Sequence, residues 1–181
     1  MQKTKPLTAS ELLMPLPRHL EEKEGAFRLH NGRTVSFDPL FAGVGDLATE
    51  QLSCTIGGED ILFKRTDSLG EDAYHLKVGK TQIVVKASEP SGAFRGLQTV
   101  RQMALANDNI IPCCMIEDEP SFSWRGFMLD TSRHFFSVDF IKKLIDVASM
   151  HHLNRFHWHL TDDLGWRIKV EGFDKLETIA S

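Results

Sequence analysis

Two short polar clusters, each following an apolar run, carry the side chains best suited to chemistry. After Gly126-Phe127-Met128-Leu129 come Asp130, Thr131, Ser132, Arg133 and His134; after Arg155-Phe156-His157-Trp158-His159-Leu160 come Thr161, Asp162 and Asp163. Arginine presents a rigid fork of donors and carboxylates accept from hydroxyls, so an arginine facing a carboxylate pair suits a polyhydroxylated ligand. The same residues would also make a structural ion pair bracing two strand ends. Spacing alone leaves both readings open.

These clusters need elements that bring them together. Gly126–Leu129 reads as a strand buried on both faces. Ser137 is placed to cap a helix in which Phe140, Ile141, Leu144, Ile145 and Ala148 recur at helical spacing, with Asn154 closing it. Arg155–Leu160 reads as a second buried strand. Strand, helix, strand is a βαβ unit with a right-handed crossover and parallel strands ~4.8 Å apart. Functional residues in such units lie past the carboxyl ends of the strands, so both clusters are expected on one rim.

Other candidates carry less. His157 and His159, two apart on a strand, share one side, but no acidic or cysteine ligand accompanies them at a metal-site spacing. No metal is expected; hydrogen bonding in the interior, oriented by a carboxylate of a neighbouring strand, is. His151 and His152 suit the negative end of the helix dipole. Phe122, Trp124, Phe135 and Phe136 could stack on a sugar, but core packing is the simpler expectation. Glu117-Asp118-Glu119 reads as a solvated linker.

Upstream of Pro120 the pattern changes. Ala26–Leu29 ends at the turn pair Asn31-Gly32, and Thr34–Phe37 follows. Runs at 60–64, 73–78 and 82–87 read as strands, the last two as a hairpin joined at Gly79-Lys80. Helices are expected around 39–54 and from Gly92 to Leu105. This mixture predicts an α+β domain, an antiparallel sheet with helices on one face, over residues 1–119. Residues 120–181 are α/β, so the domain boundary falls at Pro120.

Composition sets limits. With 41% hydrophobic residues among 181, the chain can bury a core. A net charge of −4 argues against a nucleic-acid or membrane-surface partner. Cys54, Cys113 and Cys114 form neither a disulfide framework nor a zinc pattern and read as free thiols, mostly buried. They favour a cytoplasmic setting, as does an N-terminus without a signal-like apolar run; a signal removed upstream would instead allow a periplasmic or lysosomal one.

The stretches 124–135, 154–163 and Gly165-Trp166-Arg167 closely resemble the start of the barrel in family 20 glycoside hydrolases, the β-N-acetylhexosaminidases and chitobiases. The upstream part resembles their small accessory domain through Leu13-Met14-Pro15-Leu16-Pro17, Glu71–Leu76 and Gly92–Val100. The resemblance implies a (β/α)₈ barrel that removes terminal N-acetylglucosamine or N-acetylgalactosamine from β-linked glycans, with no cofactor. The substrate's own acetamido oxygen would attack the anomeric carbon, held by the Asp of an Asp–Glu pair whose Glu is the acid/base. Arg133 matches the arginine that grips hydroxyls of the terminal sugar. Asp162 matches an aspartate that pairs with a later histidine supporting the acid Glu. Asp163 and His159 match supporting positions.

Residues 120–181 fall well short of the ~200 or more that a full barrel needs. The expected Asp–Glu pair and partner histidine are missing from the chain, so the 181 residues alone are predicted to be inactive. The truncated barrel would also expose two strand edges and an apolar helix face, a route to self-association.

Overall fold

The computed structural model describes residues 7–163 and 165–179. The first elements are α1 (Ala9–Leu12), β1 (His19–Arg28), β2 (Thr34–Phe37), α2 (Ala42–Leu52), β3 (Thr55–Ile56) and β4 (Ile61–Arg65). They are followed by β5 (Tyr74–Val78), β6 (Ile83–Ala87), α3 (Pro90–Ala106) and β7 (Ile110–Asp118). Then come β8 (Gly126–Asp130), α4 (Val138–Met150), β9 (Arg155–His159), β10 (Thr161–Asp162), β11 (Gly165–Trp166) and α5 (Asp174–Thr178). The chain divides into two compact units after Ser121.

In the first unit, alternation sets the strand faces. Tyr74, Leu76 and Val78 of β5 and Ile83, Val85 and Ala87 of β6 are buried, while Lys77 and Lys86 are exposed. Pro90 at the first turn of α3 starts a helix whose Ala93, Leu97, Val100 and Met103 join the same core. The approach is close: a Cβ on Gly92 would lie 2.2 Å from the Ala73 carbonyl oxygen, and one on Gly96 2.5 Å from Val85 Cγ1.

The sheet has seven strands in the order β1-β7-β5-β6-β4-β2-β3. The β5–β6 hairpin is antiparallel, as expected, and so are the β1–β7 and β5–β7 pairs, which involve a strand not read from the sequence. The β4–β6, β2–β4 and β2–β3 pairs are parallel, so the sheet is mixed. Helix α2 leads out of β2 and returns the chain to β3 on the same edge, which a tight turn could not do.

Two strands differ from expectation. The run at Ala26–Leu29 is the end of a ten-residue strand, β1, whose charged stretch disguises it. Glu117 and Asp118 are not linker; they end β7, the neighbour of both β1 and β5. Asp118 Oδ1 accepts from Arg18 N at 3.1 Å, and Glu119 pairs with the Arg18 guanidinium, so these acids anchor the start of β1.

Burial raises the Asp118 carboxyl above its usual value, outweighing the hydrogen bond from Arg18 N. A carboxyl so raised binds its proton more tightly when folded; its contribution to stability is full below the ordinary Asp value of about 3.9 and fades as pH rises through the raised one. Asp118→Asn keeps an acceptor for Arg18 N and removes the half-buried charge. It is expected to raise Tm at pH 7 and to leave Tm unchanged near pH 3; a lower Tm at pH 7, followed by circular dichroism, would contradict this.

All three cysteines are free and buried. Burial pushes the Cys54 thiol up to about 11 and the Cys114 thiol up to about 12, so neither is a thiolate nucleophile at neutral pH.

The second unit is built on β8–α4–β9. Strands β8 and β9 are parallel, with Gly126 opposite Arg155 and Asp130 opposite His159. Ser137 caps α4, its Oγ accepting from Phe140 N at 3.2 Å. The helix ends at Met150, earlier than Asn154, because His152 turns left-handed at φ 62°. Asn154 instead ties the strand starts together: its Oδ1 accepts from Arg125 N at 3.0 Å and its Nδ2 donates to Ser123 O at 2.9 Å.

The aromatic residues here do not form the expected core. Phe122, Trp124 and Phe135 stand 73%, 71% and 66% exposed, and Phe136 stacks on Phe140 at 4.8 Å. Two parallel strands and one long helix offer too little apolar surface to cover them.

Candidate functional site

Cross-strand register creates the site. Asp130 ends β8 and His159 ends β9 directly opposite, so both lie at the carboxyl end of the parallel pair. The chain then turns through Thr131 and Ser132, 2% and 1% exposed, and delivers Arg133 to the surface with its side chain 59% exposed.

That turn is pinned from several sides. Thr131 N donates to His159 O at 2.9 Å, and Thr131 Oγ1 accepts from Trp158 Nε1 at 2.9 Å. Ser132 Oγ donates to Gly165 O at 2.7 Å. Arg167 donates from Nε to Thr131 O at 3.1 Å and from Nη2 to Ser132 O at 3.0 Å. A Cβ on Gly165 would stand 2.2 Å from the Ser132 carbonyl oxygen, so β11 approaches the turn only because this residue is glycine.

Arg133 forks two carboxylates: Nη1 donates to Asp130 Oδ2 at 2.7 Å and Nη2 to Asp162 Oδ2 at 2.8 Å. Asp130 Oδ1 also accepts from Ser132 N at 3.1 Å and Arg133 N at 3.0 Å. Asp162 Oδ1 accepts from Asp163 N at 2.7 Å. His159 lies across both acids, with Nδ1 3.3 Å from Asp130 Oδ2 and Nε2 3.2 Å from Asp162 Oδ2.

The electrostatics follow from these contacts. The Arg133 backbone N–H, and then its guanidinium, hold the Asp130 carboxyl below the usual range. The Asp163 backbone N–H does the same for Asp162, with Arg133 adding to it. Hydrogen bonding to Asp130 raises Arg133. At neutral pH the rim is a guanidinium between two ionised carboxylates.

Of the residues singled out from the sequence, Arg133 and Asp162 meet. Asp163 is brought alongside through its backbone, its side chain exposed on the turn. His159 meets a carboxylate of the neighbouring strand, Asp130, and also Asp162, whereas the His157 side chain stands exposed. Sequence reasoning placed Asp130 at the rim without giving it a role. The signal was its opposition to His159, which needs the register as well as the pattern.

The Arg–Asp ion pair, one of the two readings open from spacing, is present. It does not exhaust the arginine: Nε–H and the second hydrogens on Nη1 and Nη2 are unused among the described residues. Three such donors on a half-exposed side chain beside ionised acceptors can bind vicinal hydroxyls.

Residues 11–119 match the model described as glycosyl hydrolase family 20, domain 2, and residues 122–181 the model described as glycosyl hydrolase family 20, catalytic domain. A β-hexosaminidase of Porphyromonas gingivalis is 34% identical over 193 residues, covering 93% of this chain and 25% of the relative. Among solved structures, the GH20 exo β-N-acetylglucosaminidase of Vibrio harveyi, in complex with N-acetylglucosamine, has a TM-score of 0.85 at 33% identity, covering 98% of this chain and 30% of that one. The N-acetyl-β-hexosaminidase of Streptomyces plicatus, in complex with Thio-NAglucal, has a TM-score of 0.84 at 29% identity, covering 97% and 39%. The chain thus spans between a quarter and two fifths of the lengths of these relatives.

Proposed function

The chain belongs to glycosyl hydrolase family 20, and on that premise we propose that it supplies the leading part of an exo-acting β-N-acetylhexosaminidase. Residues 1–119 act as the accessory α+β domain and residues 120–181 as the opening strands and helix of the (β/α)₈ barrel. The substrate is a glycan ending in β-linked N-acetylglucosamine or N-acetylgalactosamine. The reaction retains configuration, the substrate's acetamido oxygen attacking the anomeric carbon.

The observation that carries this reading is the Arg133 fork at the carboxyl end of β8, half-exposed and with three donors unused among the described residues. Arg133 binds hydroxyls of the terminal sugar. Asp162 supports the acid/base Glu through a histidine of a later strand: an ionised carboxylate behind an imidazole fixes its orientation and favours its protonated form, which in turn tunes the Glu. Asp163 is a weaker substrate-side support. The Asp–Glu pair and that histidine come from the remainder of a barrel, so the 181 residues alone turn over no substrate.

The test is hydrolysis of a chromogenic N-acetyl-β-glucosaminide by the 181-residue chain and by a polypeptide joining it to the rest of a family 20 barrel, called the complete-barrel polypeptide below. The short chain should stay at background and the complete one should turn over. Asp162→Asn in the latter should lower kcat by about ten- to a hundredfold, part of the ~10²–10⁴ that acid–base catalysis contributes, with KM little changed. An unchanged kcat removes Asp162 from this role, and turnover by the short chain refutes its inactivity.

A second reading, an interaction module derived from the family, is favoured by one observation. Val138 and Ile145 on one flank of the buried Ile141–Ala148 stripe of α4, and Phe140 and Val147 on the other, are 62%, 46%, 43% and 40% exposed, apolar surface that invites self-association.

A further inference from the structure

Asp130 lies outside the roles assigned above, yet it makes the most polar contacts of any side chain at the rim. Its Oδ1 accepts from the backbone N–H groups of Ser132 and Arg133, and its Oδ2 faces Arg133 Nη1 at 2.7 Å and His159 Nδ1 at 3.3 Å. Three N–H donors, two from the turn backbone and one from the guanidinium, thus converge on Asp130, with the His159 ring beside them. Asp162 differs: Oδ2 faces Arg133 Nη2 and His159 Nε2, while Oδ1 accepts from the Asp163 N–H among the described residues.

We propose that Asp130 is the positioning residue of this site: it fixes the turn with one oxygen and aims the Arg133 guanidinium with the other. His159 braces the arrangement from β9, its two nitrogens against the two Oδ2 atoms that hold the arginine. Arg133 stays oriented when Asp162 engages a new partner, because its Nη1 contact is made to Asp130 and not to Asp162. The consequence for sugar binding rests on the function proposed above; the placement of Arg133 does not.

Asp130→Asn separates the two oxygens. The amide retains Oδ1 for the Ser132 and Arg133 N–H groups and replaces Oδ2 with a group that cannot accept from Nη1. In the ¹⁵N-labelled 181-residue chain, ion pairing on both nitrogens should slow rotation of the Arg133 guanidinium, so that its Nη protons give separate resonances. Asp130→Asn should merge them, while a residue that merely caps the turn would leave them unchanged. Asp130→Ser, which keeps one short acceptor for the turn, should also merge them and provides the measurement if the asparagine variant fails to fold. Separate, unshifted Nη resonances in either folded variant overturn the proposal.

In the complete-barrel polypeptide, Asp130→Asn should raise KM about tenfold, as expected for misaiming one charged donor, and change kcat by less than about threefold. In an Arg133→Ala background it should have no further effect on KM; a further tenfold rise there would show that Asp130 does not act through Arg133 and would overturn the proposal. Absence of any turnover by the unsubstituted complete-barrel polypeptide would refute the proposed function, while the resonance measurement still decides the role of Asp130.

Discussion

Replacing Arg133 with alanine in the complete-barrel polypeptide is expected to lower kcat/KM for a chromogenic N-acetyl-β-glucosaminide by about 10²- to 10⁴-fold, with KM raised and kcat lowered. The magnitude follows from the donors available. Hydrogen bonds to charged groups contribute about 1.5–3 kcal/mol each, and loss of two gives a factor of that order. A second effect acts in the same direction. Without the guanidinium, Asp130 and Asp162 face each other with only His159 between them, and two carboxylates so close disfavour double ionisation. Asp162 would then be displaced or protonated, which accounts for the fall in kcat. Arg133→Lys should restore the charge but not the fork, recovering only part of the loss. Wild-type constants for Arg133→Ala would remove Arg133 from the site.

The largest expected effect on stability is at Gly92. In a helix, alanine is ordinarily favoured over glycine by about 1 kcal/mol, so propensity alone predicts that Gly92→Ala stabilises. The tertiary contact predicts the reverse. The new Cβ would lie 2.2 Å from the Ala73 carbonyl oxygen and 3.3 Å from Ala87 Cβ. A backbone oxygen cannot rotate aside, so α3 must lift from β5 and β6, where Ala93, Leu97 and Val100 are buried. Overpacking of this kind costs about 1–3 kcal/mol or more, and a Tm fall of roughly 5–10 °C is expected for a unit of this size. Gly43→Ala is the matched control. Gly43 is exposed in α2 with nothing within 4 Å of an added Cβ, so there propensity should win and Tm should rise. A higher Tm for Gly92→Ala in thermal melts would mean that α3 does not sit this close to the sheet.

The sequence revealed features governed by local rules. The β5–β6 hairpin, α3 and the Ser137 cap all follow from periodicity or a short-range side-chain preference, and each is present. What escaped depends on neighbours distant in sequence. Strand β1 carries Glu21, Glu22, Lys23 and Glu24, a pattern that reads as solvated until its place at the sheet edge is known. Strand β7 contains Pro112, which argues against a sheet interior. It is tolerated because β5 pairing starts only at Cys114, and on the other side Pro112 faces Ala26, next to the irregularity between Glu22 and Ala26. The parallel half of the first sheet was hidden for the same reason, since strand sense is decided by crossovers rather than by the strands.

At the rim, Arg133 and Asp162 were legible because residues past the ends of neighbouring parallel strands must converge. That Asp130 and His159 lock this pair was not, because one residue of register slip would have put the two side chains on opposite faces.

A crystal structure of the complete-barrel polypeptide with N-acetylglucosamine bound tests the central claim, that this rim grips the terminal sugar of a family 20 substrate. The account predicts ring hydroxyls within hydrogen-bonding distance of the unused Arg133 N–H groups, with the Asp130–Arg133 contact retained. A sugar bound elsewhere, with the Arg133 fork closed on its two carboxylates and touching no hydroxyl, would contradict it.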